Sequence, residues 1–271
     1  MSTLLHIERI SIQFGGLKAV TDFSLSLEEG RLHGLIGPNG AGKTTCFNML
    51  TGVYRPSSGG IRLGGRPLTG LRPYQIAEAG MARTFQNIRL FPALSVLDNI
   101  RIACHLRARG SMLGAIVGTR QYRGEERAIR EASEKLLDLF GLHDRRHEQA
   151  KNLPYGDQRR LEMARALATG PRVLLLDEPA AGMNPQEKAD LRVLIQRILS
   201  QFGLSILLIE HDMGVVMGIC ERITVLDYGV TIAEGPPAEI QRNPRVIEAY
   251  LGSPEAAPAP GDHGGPARVD A

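Results

Sequence analysis

Short apolar runs recur along the chain, with stretches of helical pattern between them. Four such runs stand out: Leu32–Ile36, Val173–Leu176, Leu204–Ile209 and Ile223–Leu226. Strands that are buried on both faces carry nearly continuous apolar sequences, and parallel strands need crossover segments that are usually helical. The pattern therefore predicts a mainly parallel sheet covered by helices.

The N-terminal part of the chain follows a different pattern. Its strand candidates, Leu5–Phe14, Phe23–Leu27 and Ile61–Leu63, lie close together near glycine-rich turns. Such spacing leaves little room for long crossovers and favours antiparallel pairing. We expect an antiparallel β layer beside the parallel core.

A region of helical pattern separates the two halves of the predicted core. Between about residues 87 and 152 the strand signal disappears, and apolar residues within Glu125–Phe140 recur at helical spacing. We interpret residues 87–152 as a helical subdomain inserted into the α/β core. The four glycines of Gly110–Gly124 predict a loop or a helix break.

The C-terminal residues are predicted to be disordered. Residues 253–271 contain four prolines and three glycines and few apolar side chains. The folded domain is thus expected to span residues 3–252.

Composition and charge narrow the class of protein. The 271 residues are 43% hydrophobic and 23% charged, as in a globular chain, and a net charge of +3 gives no reason to expect a nucleic-acid partner. The three scattered cysteines suit a reducing compartment. The N-terminus lacks a signal-peptide pattern, and no apolar run reaches the ~20 residues of a spanning helix. These features predict a cytosolic chain.

The segment Gly37–Thr44, GPNGAGKT, matches the phosphate-binding pattern GxxxxGK[ST]. It follows the apolar strand Leu32–Ile36 and precedes the helical stretch Thr45–Leu50, which is the context that this motif requires. Glycines let the backbone N–H groups point at phosphate oxygens, and a helix N-terminus adds positive potential. In this pattern Lys43 reaches the β- and γ-phosphates and the Thr44 hydroxyl can bind Mg²⁺.

A pair of carboxylates and a histidine follow two of the other predicted strands. Asp177 and Glu178 end the apolar run VLLL, at the sheet edge where ligands of α/β folds bind. Asp177 is expected to hold Mg²⁺, and Glu178 to orient or deprotonate the attacking water. His211 follows the next strand and can meet the γ-phosphate, although a histidine at a strand end is also a common surface residue.

Together these segments resemble the ATP-binding subunit of ABC transporters. The matching motifs occur in the family's order: GPNGAGKT, the glutamine of RTFQN, LPYGDQRR at 153–160, LLLDEP and IEHD. Further phrases, among them FGGLKAV, DEPAAGMNP and NPRVIEAYLG, are most similar to the ATPases of branched-chain amino acid importers. The ATPases of urea and lipopolysaccharide transporters remain alternatives.

The resemblance implies a RecA-like P-loop NTPase core and a set of residue roles. Phe14 would stack on adenine, which gives little selectivity among bases. Gln86 would sense the γ-phosphate and Mg²⁺ and touch the membrane partner, and His211 would be the switch histidine. The phosphates would be held by Gly37, Pro38, Asn39, Gly40, Ala41, Gly42, Lys43, Thr44 and Thr45.

LPYGD stands where the family has its LSGGQ signature, which faces ATP held by a second cassette. The implied contact residues are Leu153, Tyr155, Gly156 and Asp157. Pro154 replaces a serine hydroxyl, and the Asp157 carboxylate would repel phosphate unless its side chain turns aside. Asn184 stands where many family members have aspartate.

The implied activity is ATP hydrolysis, with ATP and Mg²⁺ as ligands, between two cassettes of the same or a similar chain. The implied partners are two transmembrane permease subunits and, indirectly, a substrate-binding protein. The chain would then lie peripherally on the cytoplasmic face of the inner membrane. A soluble ABC ATPase of DNA repair or translation is a further alternative, but such relatives commonly carry two cassettes or zinc-binding cysteines.

Overall fold

The computed structural model describes residues 2–107 and 119–251 as two β-sheets with helices. The strands are β1 (Thr3–Phe14), β2 (Leu17–Glu28), β3 (Leu32–Ile36), β4 (Ser58–Leu63), β5 (Arg66–Pro67), β6 (Met81–Arg83), β7 (Val173–Asp177), β8 (Ser205–Ile209), β9 (Arg222–Asp227) and β10 (Val230–Gly235). The helices are α1 (Lys43–Leu50), α2 (Pro73–Glu78), α3 (Val96–Cys104), α4 (Arg120–Phe140), α5 (Tyr155–Ala168), α6 (Pro185–Phe202), α7 (Met213–Ile219), α8 (Pro237–Ile240) and α9 (Pro244–Leu251). None of the helices in these two stretches is long and apolar enough to cross a membrane.

The larger sheet has six strands in the order β10-β9-β3-β8-β7-β6. Its pairs are parallel except for β10 with β9, and every residue of β3, β7 and β8 is buried. The mainly parallel core expected from the apolar runs is confirmed. The sequence did not indicate β6, which is only three residues long, or the edge strand β10, in which one of six residues is buried.

The smaller sheet is antiparallel, in the order β2-β1-β4-β5, which confirms the expected N-terminal β layer. Its long strands extend beyond their predicted ends, to Thr3 in β1 and across Leu17–Glu28 in β2. Alternate residues of β7 face opposite ways: Leu175 packs with the N-terminal layer, whereas Leu174 packs with the helices. The parallel sheet is thus buried on both faces.

The described residues between 87 and 152 are mainly helical and include α3, α4 and short 3₁₀ turns. The expected loop over Gly110–Gly124 is wrong for its last five residues, because α4 already begins at Arg120. The Thr119 hydroxyl accepts a hydrogen bond from the Tyr122 N–H at 3.2 Å and so starts the helix before Gly124. The rest of that segment and the predicted tail lie outside the described residues.

Candidate nucleotide-binding and hydrolysis site

The phosphate-binding loop leaves β3 at Gly37 through a backbone conformation that only glycine fits. Gly37 has φ of 152°, and a Cβ there would lie 2.1 Å from the Leu226 carbonyl oxygen. The loop then closes on itself, since the Ala41 N–H donates to the Pro38 carbonyl at 3.2 Å. Helix α1 begins directly afterwards, at Lys43.

The N-terminus of α1 is suited to an anion. Gly42, its N-cap, is left-handed and offers no side-chain cap, and the first turn contains no acidic residue. The free N–H groups of a helix start attract phosphate oxygens. The residues of the predicted phosphate-binding segment differ in exposure. Asn39, Gly40 and Thr44 are exposed, and Pro38, Gly42 and Thr45 are half-buried. Gly37, Ala41 and Lys43 are buried.

Lys43 is folded back onto its own loop. Its Nζ donates to the carbonyl oxygens of Gly37 at 2.7 Å and Pro38 at 2.9 Å, and the residue is 7% exposed. Burial lowers the pKa of Lys43, and the charges of Glu178 and Asp177 oppose that shift. The ammonium group is therefore held between the loop and the acidic strand end.

Asp177 and Glu178 occupy the C-terminal end of β7 in different environments. The Asp177 side chain is 3% exposed, and its Oδ2 accepts a 2.7 Å bond from Arg83 Nη2. Burial raises the pKa of Asp177, and the hydrogen bond from Arg83 opposes that effect. Glu178 has φ of 48°, an uncommon left-handed conformation, and its N–H donates to the Ile209 carbonyl on β8 at 2.9 Å.

Two further predicted site residues meet at the Glu178 carboxylate. Gln86 Nε2 donates to Glu178 Oε2 at 2.8 Å, and His211 Nδ1 lies 3.8 Å from the same oxygen. Three residues from distant segments thus converge at one sheet edge.

The residues expected to hold Mg²⁺ offer oxygen donors, which this cation prefers. They are the Thr44 hydroxyl, the side-chain carbonyl of Gln86 and the Asp177 carboxylate. Within residues 2–107 and 119–251, no group of three or more His, Cys, Asp or Glu could hold a metal ion by itself. Such a donor set fits a cation that takes its remaining ligands from nucleotide phosphates and water.

The segment at the position of the family signature starts helix α5. Leu153 is buried, Pro154 is the N-cap, and Tyr155 is 46% exposed. The carboxylate oxygens of Asp157 lie 3.6 Å from Arg145 Nε and 3.9 Å from Arg160 Nη1. Two arginines therefore balance the charge that was expected to repel phosphate.

Arg159 on α5 connects this segment to the Gln86 segment, a role that the sequence did not reveal. Its guanidinium donates to the Phe85 carbonyl at 2.8 Å, to the Gln86 carbonyl, and to the Tyr155 hydroxyl at 2.7 Å. Glu162 complements it, since its Oε1 accepts the Arg89 N–H at 3.1 Å. The start of α5 and the Gln86 segment are thereby fixed to each other.

Glu210 is a second residue that sequence reasoning missed. It is fully buried, and its carboxylate accepts the N–H groups of Ala180 at 2.7 Å and His211 at 3.0 Å. Burial raises the pKa of Glu210, and these backbone hydrogen bonds oppose the rise. Glu210 directly follows an apolar strand and Asp177 ends one, so the sequence position of Glu210 could also have marked it as a candidate site residue.

Asn184, the departure from aspartate, acts as the N-cap of α6. Its Oδ1 accepts the Glu187 N–H at 3.0 Å, and the Glu187 carboxylate accepts the Asn184 N–H at 2.8 Å. Asparagine and aspartate cap helices about equally well, so this replacement keeps the local structure.

Phe14 and Tyr250 are two aromatic residues with partly exposed rings. Phe14, at the end of β1, is 44% exposed and meets Tyr54 edge to face, with ring centroids 5.1 Å apart. On α9, burial raises the pKa of the Tyr250 phenol, and the backbone N–H of Gly37 beside its oxygen opposes that rise. The C-terminal helix thus contacts the first glycine of the loop.

A fold and a site of this kind define a class of nucleotide-binding subunit. The family model described as ABC transporter matches residues 20–181. A crystal structure of the ADP conformation of an ATP-binding cassette of an ABC transporter superposes with a TM-score of 0.80 and 28% identity, covering 93% of this chain and 100% of that one. The chain belongs to the ABC transporter ATP-binding family.

Relatives of known description share most of the chain. A model described as branched-chain amino acid ATP-binding cassette transporter matches residues 230–256. The high-affinity branched-chain amino acid transport ATP-binding protein LivG of Salmonella typhimurium is 47% identical over 92% of this chain and 98% of its own length. BraF of Pseudomonas aeruginosa, of the same description, is 45% identical with the same coverage.

Proposed function

We propose that this chain is the ATP-hydrolysing subunit of an importer of branched-chain amino acids. The observation that carries the proposal is the convergence of Gln86 and His211 on the Glu178 carboxylate, beside the buried Lys43 and Asp177. The names of the LivG and BraF relatives support the class of substrate.

In the proposed binding step, the loop Gly37–Thr45 receives the phosphates of ATP. Phosphate oxygens replace the Gly37 and Pro38 carbonyls as partners of Lys43, and N–H groups at the start of α1 donate to them. Phe14 supplies an exposed ring for the adenine. Thr44, Gln86 and Asp177 would hold Mg²⁺, which would neutralise charge on the β- and γ-phosphates.

In the proposed hydrolysis step, Glu178 orients the attacking water and accepts its proton. Gln86 would fix the Glu178 carboxylate through the hydrogen bond from Nε2 to Oε2. His211, whose Nδ1 lies 3.8 Å from the same oxygen, would contact the γ-phosphate. Glu210 keeps His211 in place through its backbone N–H.

We propose that the site is completed by a second cassette, either a copy of this chain or a similar ATPase. Leu153, Tyr155, Gly156 and Asp157 would present the start of α5 to ATP held by that partner. Because Arg159 joins this segment to the backbone at Gln86, changes at one ATP site would reach the segment that faces the other.

The proposed permease surface lies on α3 and on the residues just before and just after it. It consists of apolar side chains that are more than a third exposed: Phe91, Leu94, Ile102 and Leu106. Exposed apolar groups near one another mark protein interaction sites. Through this surface the chain would sit on the cytoplasmic face of the membrane, against two permease subunits that receive cargo from a substrate-binding protein.

Purification from native membranes in mild detergent tests this assignment. We expect permease subunits and a second cassette to co-purify, and mass spectrometry to identify an amino-acid binding protein encoded with them. An Ile102→Glu variant should lose the permeases, whereas the control Val193→Glu, at a 65% exposed position of α6, should retain them. Co-purification with urea or lipopolysaccharide transport subunits would contradict the substrate class.

A further inference from the structure

Arg83 is a buried cation that the proposed reaction steps do not use. It ends β6, three residues before Gln86, and its side chain is 5% exposed. Burying a guanidinium is costly unless its charge is paired and its N–H groups are hydrogen-bonded. Its partners therefore indicate why it stands there.

Those partners belong to the elements that carry the nucleotide-binding motifs. Arg83 Nη2 donates to Asp177 Oδ2 at 2.7 Å, and Nη1 donates to Asn48 Oδ1 on α1 at 2.7 Å. The guanidinium carbon lies 5.4 Å from the ring centroid of Phe47 and 5.0 Å from that of Phe85. Arg83 is thus fixed by the helix after the phosphate loop and by the residue before Gln86.

The contact with Asp177 involves a single carboxylate oxygen. A hydrogen bond to one oxygen of a metal-binding carboxylate fixes the rotation of the group and leaves the other oxygen for the cation. The rings and Asn48 prevent the guanidinium itself from moving.

We propose that Arg83 is a positioning residue for Mg²⁺: it holds Asp177 so that the carboxylate oxygen not bonded to Arg83 faces MgATP. The inference rests on the proposed function, because it takes Asp177 as the magnesium ligand. Arg83 acts through Asp177 and touches neither nucleotide nor metal.

The test measures the ATP affinity of the full chain by calorimetry, once with Mg²⁺ and once with EDTA. The ratio of the affinity with Mg²⁺ to the affinity with EDTA is called the magnesium gain. Arg83→Met should reduce this gain by roughly 10- to 100-fold while the affinity in EDTA stays within about twofold. In an Asp177→Asn background the same change should cause no further loss, because the two residues act as one unit.

Arg89→Met is the matched control. Arg89 also stacks on Phe85, at 4.3 Å, but among the described residues the side-chain donor to the Asp177 carboxylate is Arg83, so removing Arg89 should leave the magnesium gain unchanged. If Arg83→Met does not fold, Asn48→Ala removes one anchor of the guanidinium and keeps its charge. That variant should lose roughly threefold of the gain, the effect of one hydrogen bond.

The outcomes separate the two proposals. A wild-type chain that binds no ATP would overturn the proposed function. Four other results would each overturn only the role of Arg83. Two concern the magnesium gain itself: its absence in the wild type, or an unchanged gain in Arg83→Met or in Asn48→Ala. The other two are equal losses of affinity with Mg²⁺ and with EDTA, and a further loss when Arg83→Met is added to the Asp177→Asn background.

Discussion

Gln86 and Glu178 stand 92 positions apart in the sequence and are joined by a hydrogen bond of 2.8 Å from Nε2 to Oε2. The carboxylate proposed to activate water is thus held by the segment that leads into the helical region. A displacement of that segment would move the carboxylate through this bond, which is a physical route between the proposed permease surface and the proposed hydrolysis step.

Glu178→Gln should separate ATP binding from hydrolysis. The amide keeps the shape and can still accept a bond from Gln86, but it cannot take a proton from water. We expect ATPase activity of the purified transporter to fall by about 10²-fold or more while ATP-bound dimers accumulate. Near-normal phosphate release would show that Glu178 is not the base or the water-orienting group.

Lys43→Ala should weaken MgATP binding by ~2 kcal/mol or more, since it removes the charge that pairs with phosphate oxygens. It also removes two hydrogen bonds to the loop carbonyls, so some of the loss will come from a looser loop. Titration calorimetry measures the affinity, with the exposed Lys151→Ala as the control. Equal affinities in both variants would reject the phosphate-loop assignment.

Asp157→Gln should change ATP-driven dimerisation by no more than about twofold. Arg145 and Arg160 already balance its carboxylate, so removing the charge relieves little repulsion. Sedimentation of Glu178→Gln protein with and without this change, at low and high salt, measures the effect. A large, salt-sensitive gain would mean that the carboxylate turns toward the nucleotide in the dimer.

His33 should make stability depend on pH in the acidic range. It is 2% exposed, Nε2 lies 2.8 Å from Thr224 Oγ1, and burial lowers its pKa from 6.5 to about 4, against the charge of Glu234. A lowered folded-state pKa contributes stability that is present above pH 6.5 and lost as pH falls through 4. By linkage, the contribution of His33 to the free energy of unfolding is about 3 kcal/mol in total, of which about 2 kcal/mol is lost between pH 7 and pH 5.

The measurement is urea unfolding of wild type and His33→Gln at pH 7 and pH 5. Wild type should lose about 2 kcal/mol more than the variant, because glutamine can keep a hydrogen bond to Thr224 without titrating. Parallel losses in the two proteins would assign the acid sensitivity to other groups.

The strands that the sequence predicted well are those whose residues are all buried, such as Leu32–Ile36, which the structure reproduces without a change of bounds. Edge strand β10 mixes polar and apolar residues and therefore contains no apolar run that predicts a strand. Gly124 suggested a break in the helix because a single glycine weakens a helix locally. The 21-residue α4 supplies enough packing and an N-cap at Thr119 to include it.

The site residues divide in the same way. Lys43 and Asp177 stand in local motifs, so the sequence could predict them as site residues. Arg83 and Arg159 were not, because their partners are 94 and 74 residues away and nothing in their own segments specifies which buried group each will meet. Pairings of this kind become visible only when the chain is folded.

The contact between Tyr250 and Gly37 has a practical consequence for handling the protein. Helix α9 ends at Leu251, one residue beyond the Tyr250 side chain whose oxygen lies beside the N–H of the first loop glycine. Purification tags or fluorophores fused near Leu251 would pull on that loop and alter apparent nucleotide affinity. Labels belong at the opposite end of the chain, where Ser2 is exposed.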